Sequence, residues 1–145
     1  MLDLADREIV GWALSQTWKA QDTTGAALKM AITNRPVTQP LIFHSDRGVQ
    51  YACEEFRKVL QANPLIRQRM SRKADCWDNA VAESFFKTLK TKGIYDSHFE
   101  NQQVAAMEIF EFIQIWYNRV RLHSSLEYRT PAQMEELLFY QPVAA

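Results

Sequence analysis

A chain of 145 residues, 47% hydrophobic and 12% aromatic, has the length of one domain and the apolar mass for a packed core, which excludes a disordered segment. Its 17 basic residues are balanced by 17 acidic ones, so the net charge is zero and no global basic field can be invoked. Cys53 and Cys76 lack metal-ligand spacing and His44, His98 and His123 are scattered, which argues against zinc. No signal-peptide pattern opens the chain and no apolar run reaches the ~20 residues needed to span a bilayer. The expectation is a reducing, cytoplasmic setting with no membrane partner.

In chain order, residues 2–4 read as the tail of a strand, 5–8 as a turn, and 9–14 (Ile-Val-Gly-Trp-Ala-Leu) as the next strand. Residues 24–32 read as a helix closed near Asn34-Arg35-Pro36, because proline disfavours helix at the residue before it. Residues 40–44 form a short apolar strand ending at Asp46. Residues 54–62 are helical, with Phe56, Val59 and Leu60 on one face and Asn63-Pro64 as the stop. Residues 66–70 alternate as a strand, with Arg67 and Arg69 on its other face, and the polar stretch 71–79 is a loop.

The helix that follows carries Ala82, Phe85, Phe86 and Leu89 as a core stripe, while Glu83, Lys87 and Lys90 share another face. Residues 101–117 form a long helix whose wide apolar arc predicts packing on more than one neighbour. Thr130-Pro131-Ala132-Gln133 is a helix start, with Thr130 as N-cap and Gln133 closing a capping box. The isolated Gly25 and Gly48 exclude a phosphate-cradling loop.

Chemistry concentrates on two carboxylates. Asp46 ends a strand and Glu83 sits on a later helix, a common way to build a metal-dependent phosphoryl-transfer site. Two ions about 3.5–4 Å apart need several shared oxygens, and a pair of carboxylates is short of that number. Between Arg67 and Lys92 lie seven cations against three acids, a local basic excess suited to a polyanion. The competing reading of Glu83 and Lys87 is an i, i+4 surface ion pair worth a few tenths of a kcal/mol. For Tyr51 and Trp77 the competing reading is packing beneath the loop.

Three blocks then carry a resemblance. His44-Ser45-Asp46-Arg47-Gly48-Val49-Gln50-Tyr51, Met70-Ser71-Arg72-Lys73, and the run from Cys76 to Lys90 resemble the catalytic core of bacterial insertion-sequence transposases. These belong to the DDE class related to retroviral integrases. Trp116-Tyr117-Asn118, His123-Ser124-Ser125-Leu126 and Thr130-Pro131-Ala132 resemble the same group's C-terminal signature, and residues 3–15 its second-to-third strand segment.

The resemblance implies an α/β, ribonuclease H-like fold, a mixed sheet flanked by helices. It implies DNA transposition and integration, by two-metal strand cleavage followed by strand transfer to a target. Mg²⁺ or Mn²⁺ would be the cofactor, with Asp46 and Glu83 as catalytic and metal-binding acids. Lys87 and Lys90 would contact DNA phosphates, and Arg72, Lys73 and Asn79 would make further DNA contacts. Residues 1–128 correspond to a partial catalytic core and 129–145 to a C-terminal helix and tail. Double-stranded DNA, at element ends and target, is the implied partner, in a bacterial, nucleoid-associated setting.

Two departures accompany the resemblance. The acids are separated by 36 residues, one more than the usual pattern, and the turn at residues 62–65 accommodates the insertion. The family's first Asp lies upstream of the segment that Asp3 matches. Asp3 and Asp6 belong to the strand hairpin and Asp22 follows it, so none is expected to substitute.

The chain thus reads as N-terminally truncated, lacking the central first strand and most of the second, each about 4.8 Å wide. Either it is an enzyme, acting by itself or as part of a larger polypeptide, or it is an inactive remnant, an inhibitor binding DNA or transposase. Open sheet edges favour association. The isolated chain is therefore expected to be marginally stable, to form a homo-oligomer, or to pair with a complementing transposase fragment. Size-exclusion chromatography with thermal melting tests this; a cooperative melt of a monomer refutes it.

Overall fold

The computed structural model describes residues 1–71, 79–95 and 97–139 of the chain. They form a mixed α/β protein with six α-helices and one parallel pair of strands among the described residues. Two compact units emerge: Val10–Glu83 together with Met1, and Leu2–Ile9 together with Ser84–Ala145.

In the first unit a π-helical turn, Gln21–Gly25, leads into helix α1, Ala26–Asn34. The helix stops where the sequence requires, with Arg35 extended (φ −132°) ahead of Pro36. Strand β1, Leu41–Ser45, runs parallel to β2, Ile66–Met70, in the register Leu41↔Ile66 to Ser45↔Met70. A parallel pair needs a helical crossover. Here it consists of α2, Val49–Ala52, and α3, Glu54–Gln61.

The core joins Leu28 of α1, Phe56 and Leu60 of α3, and Ile66 of β2. Phe43 and Tyr51 pack on Phe56 with ring centroids 5.4 Å away in each case. Tyr51 is therefore a packing residue.

The strand read over residues 9–14 is not formed. Val10 and Gly11 N–H donate to the Met1 carbonyl at 3.1 and 3.4 Å, and there the ladder stops. The Trp12 N–H turns instead to Met30 Sδ at 3.4 Å. A strand exists only through a bonded neighbour, so an apolar run alone does not extend it. Gly11 lies hard against α1: a Cβ there would meet the Ala27 carbonyl oxygen at 2.3 Å and the Ala31 nitrogen at 2.7 Å.

In the second unit Leu2 and Ile9 form an antiparallel bridge, and the Asp3 N–H donates to the Glu8 carbonyl at 2.9 Å. Helix α4, Ala80–Thr88, passes from the first unit into the second and continues as a π-helical stretch, Leu89–Ile94. Helix α5, Gln102–Glu111, is capped by the Asn101 side chain and runs into a second π-helical stretch, Phe112–Tyr117. Helix α6, Pro131–Phe139, starts with the expected capping box. Thr130 N–H donates to Gln133 Oε1 at 3.0 Å, and Gln133 N–H to Thr130 Oγ1 at 3.2 Å.

Two packing expectations fail here. Of the α4 stripe only Phe85 is buried, edge-on to Tyr117 at 5.0 Å; Ala82 and Phe86 are exposed and Leu89 is half-buried. Likewise Ala105, Phe112, Ile113 and Tyr117 make one buried face of the long helix, while Met107, Phe110 and Ile115 remain exposed. Apolar spacing marks which residues could face a core; each helix here has a neighbour over only part of its arc.

Replacing Gly11 by alanine is expected to destabilise the chain by about 1–3 kcal/mol, because backbone of α1 must move to admit the methyl group. A urea midpoint lowered at unchanged slope would establish this.

Candidate active site

The carboxyl end of β1 is built by short-range necessity. Ser45 is buried and Asp46 is exposed immediately beyond it. Asp46 Oδ1 accepts the Gly48 N–H at 2.8 Å, an Asx turn that bends the chain into α2. The acid therefore leaves the strand with one oxygen engaged locally and its second turned to no protein donor among the described residues. Burial, and secondarily the Asp46 carboxylate, raise the Tyr51 phenol above its ordinary pKa.

Ser71, just past β2, is the node of the site. The parallel register sets it beside Ser45, whose carbonyl accepts the Ser71 N–H at 2.8 Å and the Ser71 hydroxyl at 3.1 Å. The same hydroxyl lies 3.0 Å from His44 Nε2 and 3.4 Å from the Asn79 side-chain amide. Its one hydrogen cannot serve three partners. Donated to Ser45, it leaves Oγ to accept from a protonated His44 Nε2 and, with the amide turned over, from Asn79 Nδ2. The Ser71 carbonyl in turn accepts from Arg47 Nε at 3.0 Å.

Asn79 immediately precedes α4, and Glu83 follows four residues later, so the two share one face of that helix. One buried hydroxyl thus connects the strand end bearing Asp46 to the helix turn bearing Glu83. Glu83 is exposed and forms no ion pair with Lys87 among the described residues. Among the described residues its carboxylate meets no cation. Lys87 and Lys90 are both exposed, on α4 and on the π-helical stretch after it. Arg72 and Lys73, with most of the loop read over residues 71–79, lie outside the described residues, as does Trp77.

Asp46 and Glu83 offer hard oxygen donors of the kind Mg²⁺ or Mn²⁺ takes. Among the described residues no three His, Cys, Asp or Glu side chains converge as a metal cage. No described helix is long and apolar enough to cross a membrane. Sequence reasoning placed His44, Arg47 and Ser71 inside the resembling blocks but gave them no role. Their roles depend on strand register, which appears only once β1 and β2 are paired.

An α/β chain with one acid at a strand end and another one turn into a helix belongs to a small class of sites. The chain belongs to the integrase core family found in insertion-sequence transposases: two profiles, each described as an integrase core domain, match residues 1–76 and 65–131. It is 38% identical over 136 residues to the transposase for insertion sequence element IS904 of Lactococcus lactis, covering 93% of this chain and 53% of that protein. The insertion element IS600 uncharacterized 31 kDa protein of Shigella sonnei is 40% identical over 134 residues, covering 92% and 48%. The transposase InsF for insertion sequence IS3A of Escherichia coli K12 is 37% identical over 135 residues, covering 93% and 46%. The chain spans about half the length of the curated relatives it matches.

Substituting Ser71 by alanine strips partners from His44 and Asn79. A loss of about 1–3 kcal/mol is expected. Chemical denaturation reads it directly, and an unchanged midpoint would show that the hydroxyl ties nothing together.

Proposed function

We propose that this chain carries the second and third acids of a metal-dependent DNA strand-cleavage and strand-transfer site on a ribonuclease H-like scaffold. Asp46 and Glu83 would hold Mg²⁺ or Mn²⁺, which supplies Lewis-acid stabilisation of charge on oxygens of the phosphodiester. The residues of the chain do the rest. The Ser71 node holds the strand end to the residue that precedes α4, and Lys87, Lys90, Asn79, Arg72 and Lys73 would each contact the backbone of double-stranded DNA. Residues 1–128 act as the core and 129–145 as its C-terminal helix and tail.

The observation that carries this reading is the shared Ser71 hydroxyl, contacting both the residue before Asp46 and the residue one turn ahead of Glu83. That neither acid meets a cation among the described residues supports it, since an ion-paired Glu83 would be spent. A pair of carboxylates still falls short of the oxygens two ions require, so a further acid must join the assembled site. That shortfall favours a second reading: a catalytically silent chain that binds DNA or transposase and forms mixed assemblies.

Mn²⁺ titration followed by calorimetry is expected to show weak binding, with a Kd of about 0.1–1 mM, as for sparsely charged sites. Asp46→Asn and Glu83→Gln should each weaken it at least ~10-fold. Undiminished binding in both variants sinks the metal reading. Mg²⁺-dependent cleavage of element-end DNA that disappears in Glu83→Gln decides for the enzyme over the silent chain.

A further inference from the structure

Strand alternation gives the β1–β2 pair two faces. Phe43 and Ile66 pack into the core on one of them, where Gln68 Nε2 also donates to the Tyr51 carbonyl at 2.9 Å. The register Ile42↔Arg67 and His44↔Arg69 sets the other face, on which Ile42, Arg67 and Arg69 are all exposed. Arg67 and Arg69 take no part in the active site described above.

The charge on this face has one sign. An exposed charge on a sheet gains from an opposite charge directly across from it. Here the neighbours across the pair are an isoleucine and a histidine. Neither Arg67 nor Arg69 forms an ion pair among the described residues. Elsewhere in the same unit the opposite holds: on α3, Lys58 Nζ lies 2.9 Å from the Glu54 carboxylate. A face kept only for solubility mixes both signs.

The row continues to the strand end. Ser71 follows β2 directly, with its hydroxyl 3.0 Å from Nε2 of His44 on the same face. The Ser71 carbonyl holds Arg47 through Nε at 3.0 Å, and the exposed Arg47 forms no ion pair among the described residues. Arg47 is also the residue after Asp46, so the cations run up to the acid. Alternate residues of a parallel strand stand about 6.6 Å apart. That step is of the same order as the one between neighbouring phosphates on a nucleic-acid strand. A guanidinium fork matches the oxygens of a phosphate two at a time.

We propose that Arg67 and Arg69, continued by Arg47 at the strand end, form a track for the phosphodiester backbone of DNA. It holds successive phosphates along β2 and leads that strand towards Asp46, without reading its bases. The track rests on the DNA reading given above and lies wholly within the first unit.

Fluorescence anisotropy on a labelled duplex, across a salt series and without divalent metal, tests it. Arg67→Gln and Arg69→Gln are each expected to weaken binding and to make the slope of log K against log salt shallower by about 0.9, one phosphate contact each. Arg57→Gln removes the same charge from an exposed position on α3 and is expected to leave the slope unchanged. A second measurement uses the unaltered chain. Phenylglyoxal adducts mapped by mass spectrometry should be suppressed by the duplex at Arg47, Arg67 and Arg69 and persist at Arg57. Unchanged slopes for Arg67→Gln and Arg69→Gln, an equal change for Arg57→Gln, or adducts at Arg67 and Arg69 indifferent to DNA overturn the track and leave the metal-site reading standing. No DNA binding by the unaltered chain overturns both.

Discussion

The Ser71 hydroxyl lies within hydrogen-bond distance of the Ser45 carbonyl, His44 Nε2 and the Asn79 amide, and the candidate active site is organised around it. Its single hydrogen is best given to the Ser45 carbonyl, the nearer of its two oxygen acceptors. A buried hydroxyl is constrained by stoichiometry: with its hydrogen committed, every other neighbour must donate to it. His44 and the Asn79 amide meet that condition only in one tautomer and one amide orientation. The node therefore fixes more than distance. It sets the proton arrangement beside Asp46 and anchors the approach to α4 from which Glu83 projects. Removing the hydrogen leaves donors facing an empty place, a larger penalty than the net worth of any single bond.

The second unit has a comparable knot, made by an amide. Asn118 is 2% exposed and spends its side chain on Ile9, closing contacts across more than a hundred residues of sequence. An asparagine can replace a missing strand partner because it offers a donor and an acceptor at peptide-like spacing. The segment at residues 2–9 is thereby held with a single backbone bridge. Both knots use small polar side chains for a task usually given to a sheet, in a chain whose described residues contain only one strand pair.

Local grammar was legible from the sequence wherever the physics is local. The β2 strand at residues 66–70, the stop of α1 before Pro36 and the Thr130–Gln133 capping box follow from residues within a turn of each other. Features that depend on a neighbour were not legible. Residues 9–14 form an apolar run that reads as a strand yet pair only as far as Gly11, and Phe86, Met107 and Phe110 follow helical core spacing yet stay exposed. For the site, Asp46 and Glu83 stand out as residue types in a pattern. Ser71 is an ordinary serine until register Ser45↔Met70 sets it against the Ser45 carbonyl. The integrase core match identifies the blocks without revealing that knot.

Charge balance explains why zero net charge is compatible with a nucleic-acid partner. What matters at an interface is which charges are already satisfied. Lys58 is spent on Glu54 and Arg129 on Glu127, both within one turn of chain. Glu83 stands one helical turn from Lys87 without bonding it, though that spacing is the easiest ion pair a helix can make. Exposed pairs of this type gain so little that leaving them unmade costs almost nothing. Asp46 and Glu83 thus meet no cation among the described residues although the whole chain is charge-balanced. Neutrality overall therefore does not decide which charges an interface would use.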